Sequence, residues 1–520
     1  MPEPPREQPG LLRPQRVPAQ QVARLVERLG GARLHGDPAV AVTGITHDSR
    51  LVQRGDLYLA RAGAQVHGIR FVADALTAGA AAVLTDAESV GPAVAAGSAA
   101  VVEVPDPRAA TGPAAAWVYG DPSQDLLVIG VTGTNGKTTT AYLVDAGLRA
   151  AGRRTGLVGT IETLVAGRSM PSLRTTPEAT DLQALFAVMR EQSVTDVAME
   201  VSSHALALDR VEGTVFAVAG FTNLSQDHLD FHADMEDYFA AKARLFTPQL
   251  SRRGVVDVDD AWGRRLADAA GVPVTTIGAA DADWTRLDES VAVAGGSVTV
   301  RAPDGGEHRL DVHLPGRFNL TNAALAFVVL VEAGVPAPDA TRGIAALRSV
   351  PGRMERIDTG QPFAALVDYA HTPAAVTALL AEARTMTTDD GRVLVVLGCG
   401  GDRDAGKRPL MGAAAAAGAD LAVLTNDNPR SEDPAAILDA MCRGALAVPD
   451  AGEVVVEPDR RAAISRAVGA ARPGDVVVVA GKGHEQGQEQ DGVVLPFDDR
   501  DVLRDALGAR GYQRAGDRPA

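Results

Sequence analysis

Leu-Leu-Val-Ile-Gly-Val-Thr at 126–132 is a continuous apolar run, and Asp-Val-Ala-Met-Glu-Val-Ser at 196–202 and Val-Phe-Ala-Val-Ala-Gly-Phe-Thr at 215–222 are strand-like stretches of the same kind. Runs that are apolar on both faces predict parallel strands covered by helices on both sides. Helical patterns separate them, from Lys137 to about Ala151, over 180–192 and over 235–247. The alternation is the βαβ rhythm of a doubly wound sheet. From about 290 to 314 the pattern becomes VAVAGGSVTVRAP and HRLDVHL, which predicts antiparallel hairpins at the sheet edge, followed by helices near 320–333 and 338–347. Pro351-Gly352-Arg353 interrupts, and the rhythm restarts with FAALVDY, RVLVVLG, DLAVLT, EVVVEP and DVVVVAG, each followed by a helical pattern. Before residue 122 the periodicity is weaker, with short β runs at 56–60 and 81–84 between small helices. Pro122 and the polar Ser123-Gln124-Asp125 read as a linker.

The expected architecture is α/β in three domains. A disordered leader (1–20) precedes a compact α/β domain (21–122), a central doubly wound domain (123–350), a C-terminal Rossmann-like domain (351–510) and a frayed tail (511–520). A length of 520 residues suits about three hydrophobic cores. A formal net charge of −16 repels phosphate backbones and anionic lipids, so nucleic-acid and membrane-surface binding are not expected. Any anionic ligand must then be held by a local nest of amides and a few cations. Cys399 and Cys442 lie far apart, which excludes a disulfide scaffold and a cysteine zinc site. No run reaches the roughly 18 apolar residues of a membrane span. The first residues carry no apolar signal-peptide core, so the expected location is the cytoplasm.

Between the first long apolar run and its helix lies Val131-Thr132-Gly133-Thr134-Asn135-Gly136-Lys137-Thr138-Thr139. Glycines let successive N–H groups converge on a phosphate, and the helix N-terminus adds partial positive charge. Lys137 then bridges the outer phosphates of ATP, and the Thr138 hydroxyl ligates Mg²⁺. The full phosphate-loop pattern has glycine where this chain has Val131. Read blandly, the segment is a glycine turn joining strand to helix; strand–loop–helix context with Lys-Thr-Thr favours the nucleotide.

Residues at the carboxyl ends of parallel strands line the ligand crevice. Glu200 ends one strand and His228 follows the next, so the two are candidates to hold one or two Mg²⁺ against the phosphates. Alone, the glutamate reads as a surface ion pair and the histidine as a satisfied loop residue. Lys242, within Tyr238-Phe239-Ala240-Ala241-Lys242-Ala243-Arg244-Leu245-Phe246, is by itself an ordinary helix lysine. Desolvated in a site, a lysine loses its proton and becomes reactive toward CO₂.

GTNGKTT, MEVSSHAL, TNLSQDHLDFH, YFAAKARLF, LPGRFNLTNAALA, PGRMERI, VDYAHTP, GCGGDRDAGKRP, TNDNPR and AGKGHE occur in this order. Together, from Asp48-Ser49-Arg50 to the final helix, they resemble the Mur ligases of peptidoglycan synthesis. The resemblance implies a phosphate loop of Gly133, Thr134, Asn135, Gly136, Lys137, Thr138 and Thr139, with Asn319, Asn322, Arg353, Asp368 and His371 around the adenosine and phosphates. It implies a UDP-bearing substrate met by Ser49 on the first domain, with its peptide end at Thr175, Thr176, Ser202 and Arg210. It implies Mg²⁺ at Glu200 and His228, and a CO₂-derived carbamate on Lys242. Where relatives carry an Asp-Gly-His type motif, this chain reads His67-Gly68-Ile69.

The implied reaction is amide formation through an acyl phosphate, since a carboxylate becomes a good electrophile only once phosphorylated. No covalent enzyme intermediate is needed, so Cys399 reads as a packing residue. The third domain chooses the amino acid. Meso-diaminopimelate has a distal carboxylate that lysine lacks, and a guanidinium is its natural partner. Arg430, in Asp427-Asn428-Pro429-Arg430, supplies it; Asp427 and Asn428 then receive the ammonium, Arg403 the other carboxylate, and Gly481 and Glu485 complete the pocket. Read alone, that segment is an exposed charged loop. The expected partners are UDP-N-acetylmuramoyl-L-Ala-D-Glu, meso-diaminopimelate and ATP, acting on a monomer. The alternatives are a lysine-adding Mur ligase, which Arg430 disfavours, a folate-polyglutamate enzyme, which the Ser49 domain disfavours, and a P-loop ATPase switch or regulatory module, which leaves the third-domain loops unexplained.

Overall fold

The computed structural model describes residues 13–512 apart from 64–65, 171–173 and 293. Residues 1–12 and 513–520, most of the expected leader and tail, lie outside the described residues. Of the remainder, 13–20 and 511–512, Arg13 and Tyr512 are held against the fold, where a disordered leader and a frayed tail were expected. Arg13 donates to Asp56 (2.9 Å), to the Tyr119 hydroxyl (3.2 Å) and to the Leu51 carbonyl (3.3 Å), anchoring the chain entry to the first sheet. Tyr512 packs edge-on against Phe363. A single well-placed arginine or aromatic ring overrides a polar, proline-rich composition.

The first domain is a five-stranded sheet in the order Arg33–Gly36, Ala100–Glu103, Ala82–Thr85, Asp56–Leu59, Gly44–Thr46, antiparallel only in its first pair. Its helix Pro107–Val118 packs on the central domain's helix Ala179–Glu191, so Ala184 and Ala187 belong to the first domain's apolar core. A Cβ at Gly112 would strike the Glu212 backbone; only glycine permits so close an approach. Pro122 and Ser123, expected in a linker, are buried, and the Ser123 hydroxyl accepts from the Val215 amide at 3.2 Å.

Among the described residues the central sheet has eleven strands. Its parallel middle runs Thr155–Val158, Asp196–Glu200, Leu127–Thr132, Val218–Phe221, Gly254–Asp257, Val274–Gly278. The expected hairpins are present as Trp284–Ala292, Gly295–Arg301 and Glu307–Val312. A second antiparallel pair, Thr163–Val165 with Arg168–Met170, extends the other edge; its strands are too short to show a period. Two apolar cores fill the two faces of this sheet. The third domain is a six-stranded sheet, parallel except for the edge strand Glu355–Arg356. Among the described residues no helix is long and apolar enough to cross a membrane.

Candidate active site

The strand order decides what gathers around the phosphate loop. Strand Leu127–Thr132 lies between Asp196–Glu200 and Val218–Phe221, with Glu200 opposite Val131 and Phe221 opposite Thr132. The loop 133–136 is therefore flanked by the two strand ends that carry Glu200 and the 222–232 segment. Gly133 and Gly136 have φ of 144° and 87°. A Cβ would collide with the Thr222 hydroxyl at the first and with the Asn322 amide at the second.

Lys137 turns back onto its own loop, donating to the Gly133 and Thr134 carbonyls at 2.9 Å each. Burial pushes its ammonium below the usual lysine range, while Glu200 and Asp227 work the other way. Glu200 is buried and accepts from the Thr160 amide (2.7 Å), the Thr160 hydroxyl (3.0 Å) and the Thr138 hydroxyl (2.9 Å). Lys242 projects from helix Met235–Ala243, capped by Asp234, into the floor of the loop. Its Nζ meets the Gly133 carbonyl at 2.7 Å and lies 4.6 Å from the Tyr238 ring centre. Burial, and then the neighbouring Lys137, hold Lys242 well below the ordinary lysine range. That favours the neutral amine, the form able to add CO₂.

His228 sits at φ 55°, a strained conformation for a non-glycine residue, and its imidazole lies edge-on to His204. Burial lowers its pKa against the pull of Asp227, leaving a neutral ring able to ligate a metal. Glu200, His228, Lys242 and Thr138 line one cavity of about 390 Å³. Among the described residues no three His, Cys, Asp or Glu side chains form a metal cluster. The set nevertheless fits Mg²⁺: a carboxylate, a hydroxyl and a neutral imidazole face a cavity that leaves room for phosphate oxygens. A carbamate on Lys242 would keep one N–H on Nζ, able to go on donating to the Gly133 carbonyl, while its two oxygens could only accept.

Across the cavity, Arg353 donates to the Thr138 hydroxyl at 3.1 Å and lies over the Tyr369 ring at 4.5 Å. Asp368 accepts from the Met354 and Ala370 amides at 2.7 Å, and His371 bonds the Tyr369 carbonyl at 2.8 Å. Asn322 donates to Asn319, which donates to the Pro315 carbonyl. Phe318, Ala378 and Leu379 give this cavity an apolar side.

A second cavity of about 840 Å³ adjoins the first, sharing Asp227, His228, Tyr369 and His371 with it. Asp427, Asn428, Arg430, Gly481 and Glu485 line its third-domain wall, with Arg403 on the exposed rim. Arg430, at φ 54°, donates through Nη1 to the Gly401 carbonyl at 2.6 Å. Gly481, at φ 110°, leaves space against Asp427 Oδ2 that a side chain would take. Asn428 departs from expectation. Its Oδ1 accepts from Lys482 Nζ (2.9 Å) and the Glu489 amide (3.0 Å), and its Nδ2 donates to Glu485 Oε2 (2.8 Å). Both neighbours of Oδ1 are obligate donors, so the amide orientation is fixed. Oδ1, the atom that an expected ammonium would have to reach, is thus already taken by two donors.

Three family models match the chain in succession: "Mur ligase family, catalytic domain" at 41–119, "Mur ligase middle domain" at 131–330 and "Mur ligase, glutamate ligase domain" at 352–483. The UDP-N-acetylmuramoyl-L-alanyl-D-glutamate–2,6-diaminopimelate ligase of Streptomyces coelicolor is 56% identical over 96% of this chain and 98% of its own length. Its namesake in Streptomyces avermitilis is 55% identical over 96% and 98%. The chain belongs to the Mur ligase family. A solved structure of a ligase of the same name superposes with a TM-score of 0.67 at 31% identity, covering 95% of this chain and all of that one.

In this Mur ligase the remaining expected residues are divided between the first two domains, and Thr175 and Ser202 line the smaller cavity. Thr175 meets Thr160 at 3.0 Å. The Thr176 hydroxyl donates to the Glu200 carbonyl at 2.9 Å and accepts from the Ser202 amide at 3.1 Å. Arg210 lies 2.8 Å from Glu178, which also pairs with Arg61 and Arg174. Ser49 is half-buried in a short helical turn of the first domain, and neither cavity includes it. His67 pairs with Asp86 at 2.9 Å. Cys399 is buried and its thiol is pushed up to about 12 by desolvation, which suits packing. Sequence reading did not single out Thr160, Tyr369 or Lys482. The last two stand inside quoted motifs, VDYAHTP and AGKGHE, and Thr160 lies two residues beyond the strand Thr155–Val158, next to the strand that Glu200 ends.

Proposed function

We propose that this Mur ligase joins meso-2,6-diaminopimelate to the γ-carboxyl of D-Glu in UDP-N-acetylmuramoyl-L-Ala-D-Glu, consuming ATP and releasing ADP and phosphate. The pairing of donors and acceptors in the larger cavity carries the choice of amino acid. Arg430 and Asn428 Nδ2 offer N–H groups to the distal carboxylate, while Asp427 Oδ2 and Glu485 Oε1, which accept no other hydrogen bond among the described residues, receive its ammonium. Arg403 on the rim takes the other carboxylate. Arg430 already meets the Gly401 carbonyl and, at 3.4 Å, Glu489, and L-lysine would leave its remaining N–H groups without the carboxylate that diaminopimelate brings.

The same residues order the reaction. The amides of 133–139 and the helix N-terminus hold the nucleotide phosphates, with Asn319, Asn322, Asp368 and His371 on the adenosine side. Lys137 leaves its loop carbonyls for the transferring phosphoryl group and, with Arg353, offsets the charge that builds there. Thr138, Glu200, His228 and carbamylated Lys242 would hold Mg²⁺, which supplies further positive charge against the phosphates. Thr175, Thr176, Ser202 and Arg210 keep the peptide end in line, and Ser49 meets the UDP end. The γ-carboxylate oxygen attacks the γ-phosphorus, ADP leaves, and the amine of diaminopimelate attacks the resulting acyl phosphate. Phosphate departs from the tetrahedral intermediate with the carboxylate oxygen that attacked.

A substrate carrying heavy oxygen in its γ-carboxylate tests this directly. One labelled oxygen should appear in inorganic phosphate, and the product should gain one diaminopimelate residue. Product without label in phosphate would overturn the acyl-phosphate route, and absence of product would overturn the ligase assignment.

A further inference from the structure

Lys482 lies behind the wall of the larger cavity, fully buried and absent from the cavity lining. A buried ammonium is costly unless paired, and its partners here face the ligand space. Nζ donates to Asn428 Oδ1 and to Glu485 Oε2, each at 2.9 Å. The Asn428 amide closes the triangle by donating to the same Glu485 oxygen. Arg460, another fully buried cation near these loops, is taken up by Asp499 and by the Ala480 and Asn426 carbonyls, and hydrogen-bonds to neither Asn428 nor Glu485. Lys482 is thus the cation that touches two ligand-facing side chains from behind.

We infer that Lys482 is a positioning residue for amino-acid selection. It neutralises Glu485 and holds Asn428 as a donor, so the pocket prefers a ligand end bearing both carboxylate and ammonium over one bearing ammonium alone. The inference rests on the proposed function. Removing the ammonium makes the pocket more negative by one charge, close to where the distal carboxylate would lie. That penalises diaminopimelate and favours L-lysine, a change in discrimination rather than in activity alone.

The test is phosphate release with ATP and UDP-N-acetylmuramoyl-L-Ala-D-Glu, comparing diaminopimelate with L-lysine in the wild type and in Lys482→Met. The expected result is a fall of about tenfold in the ratio of kcat/KM for diaminopimelate to that for lysine, with KM for ATP moving by less than about twofold. A merely structural role would lower both amino acids together, disturb the KM for ATP, and leave the ratio unchanged; that result overturns the inference. Should Lys482→Met not fold, the ratio is compared between Glu485→Gln and the double variant Lys482→Met/Glu485→Gln, which buries no unpaired carboxylate. It should fall from the first to the second, and equality overturns the inference. Wild-type release that does not depend on diaminopimelate overturns the proposed function and this inference with it. An intact preference in Lys482→Met overturns this inference alone.

Discussion

The two sides of the cleft are built on different principles. On the nucleotide side, one continuous segment, 133–139, supplies the phosphate nest, and its partners sit at the ends of the two strands that flank its own. On the amino-acid side the lining comes from separate loops at 398–407, 427–430 and 481–485. There the outcome depends on which way a single amide points. Backbone donors need only a loop of the right shape; the side chains of the other wall are tied into a hydrogen-bond network that Lys482 closes from behind the lining.

Substitutions on the two sides should therefore fail differently. The largest effect is expected at Lys242. Lys242→Ala should lower kcat by about a thousandfold, as for loss of an electrostatic stabiliser, with partial recovery in acetate or formate, whose carboxylate can occupy the carbamate's place. Steady-state phosphate release with and without the acid checks it, and absence of recovery would contradict the carbamate. Next comes Arg430→Ala, which should cost about a hundredfold in kcat/KM for diaminopimelate and leave KM for ATP unchanged. Equal losses for ATP and diaminopimelate would erase the distinction between the sides.

A sharper test of direction is Asn428→Asp. An aspartate can accept but not donate, so activity with diaminopimelate should drop about tenfold or more. Had Asn428 received an ammonium, the substitution would be tolerated or favourable. The smallest effect is expected at neither side but where the first domain meets the central one. His47, bonded to Thr180 at 3.1 Å, is held down to about 4 by burial and then by Arg61. Its folded pKa lies below the unfolded value, so the folded chain binds fewer protons between the two. The stability this contributes is present above about pH 6.5 and is lost as pH falls toward 4. His47→Gln should flatten that part of the melting-temperature profile, and an unchanged slope would count against the assignment.

The contrast also explains what the sequence made legible. Unbroken apolar runs disclosed the parallel strands, and the glycine loop that joins strand to helix at 133–136 was legible too, because both are contiguous. Glu200 and Lys242 acquired meaning only from ordered motifs, since a lone carboxylate or lysine has an ordinary explanation. The strands 163–165 and 168–170 were invisible because three residues cannot display a period. Arg13 was read as leader because its partner Asp56 lies far along the chain. Asn428 was expected to receive an ammonium, and its side-chain oxygen is already occupied. Its orientation is set by Lys482 and by the Glu489 backbone, and no residue type announces which oxygen is already taken.

The most direct measurement offers the enzyme equal concentrations of meso-diaminopimelate and L-lysine with ATP, Mg²⁺ and UDP-N-acetylmuramoyl-L-Ala-D-Glu, and weighs the product. The expected product has gained diaminopimelate almost alone, with one phosphate released for each. A lysine-bearing product would contradict the reading of Arg430 and Asn428, and phosphate released without any amide product would contradict the ligase itself.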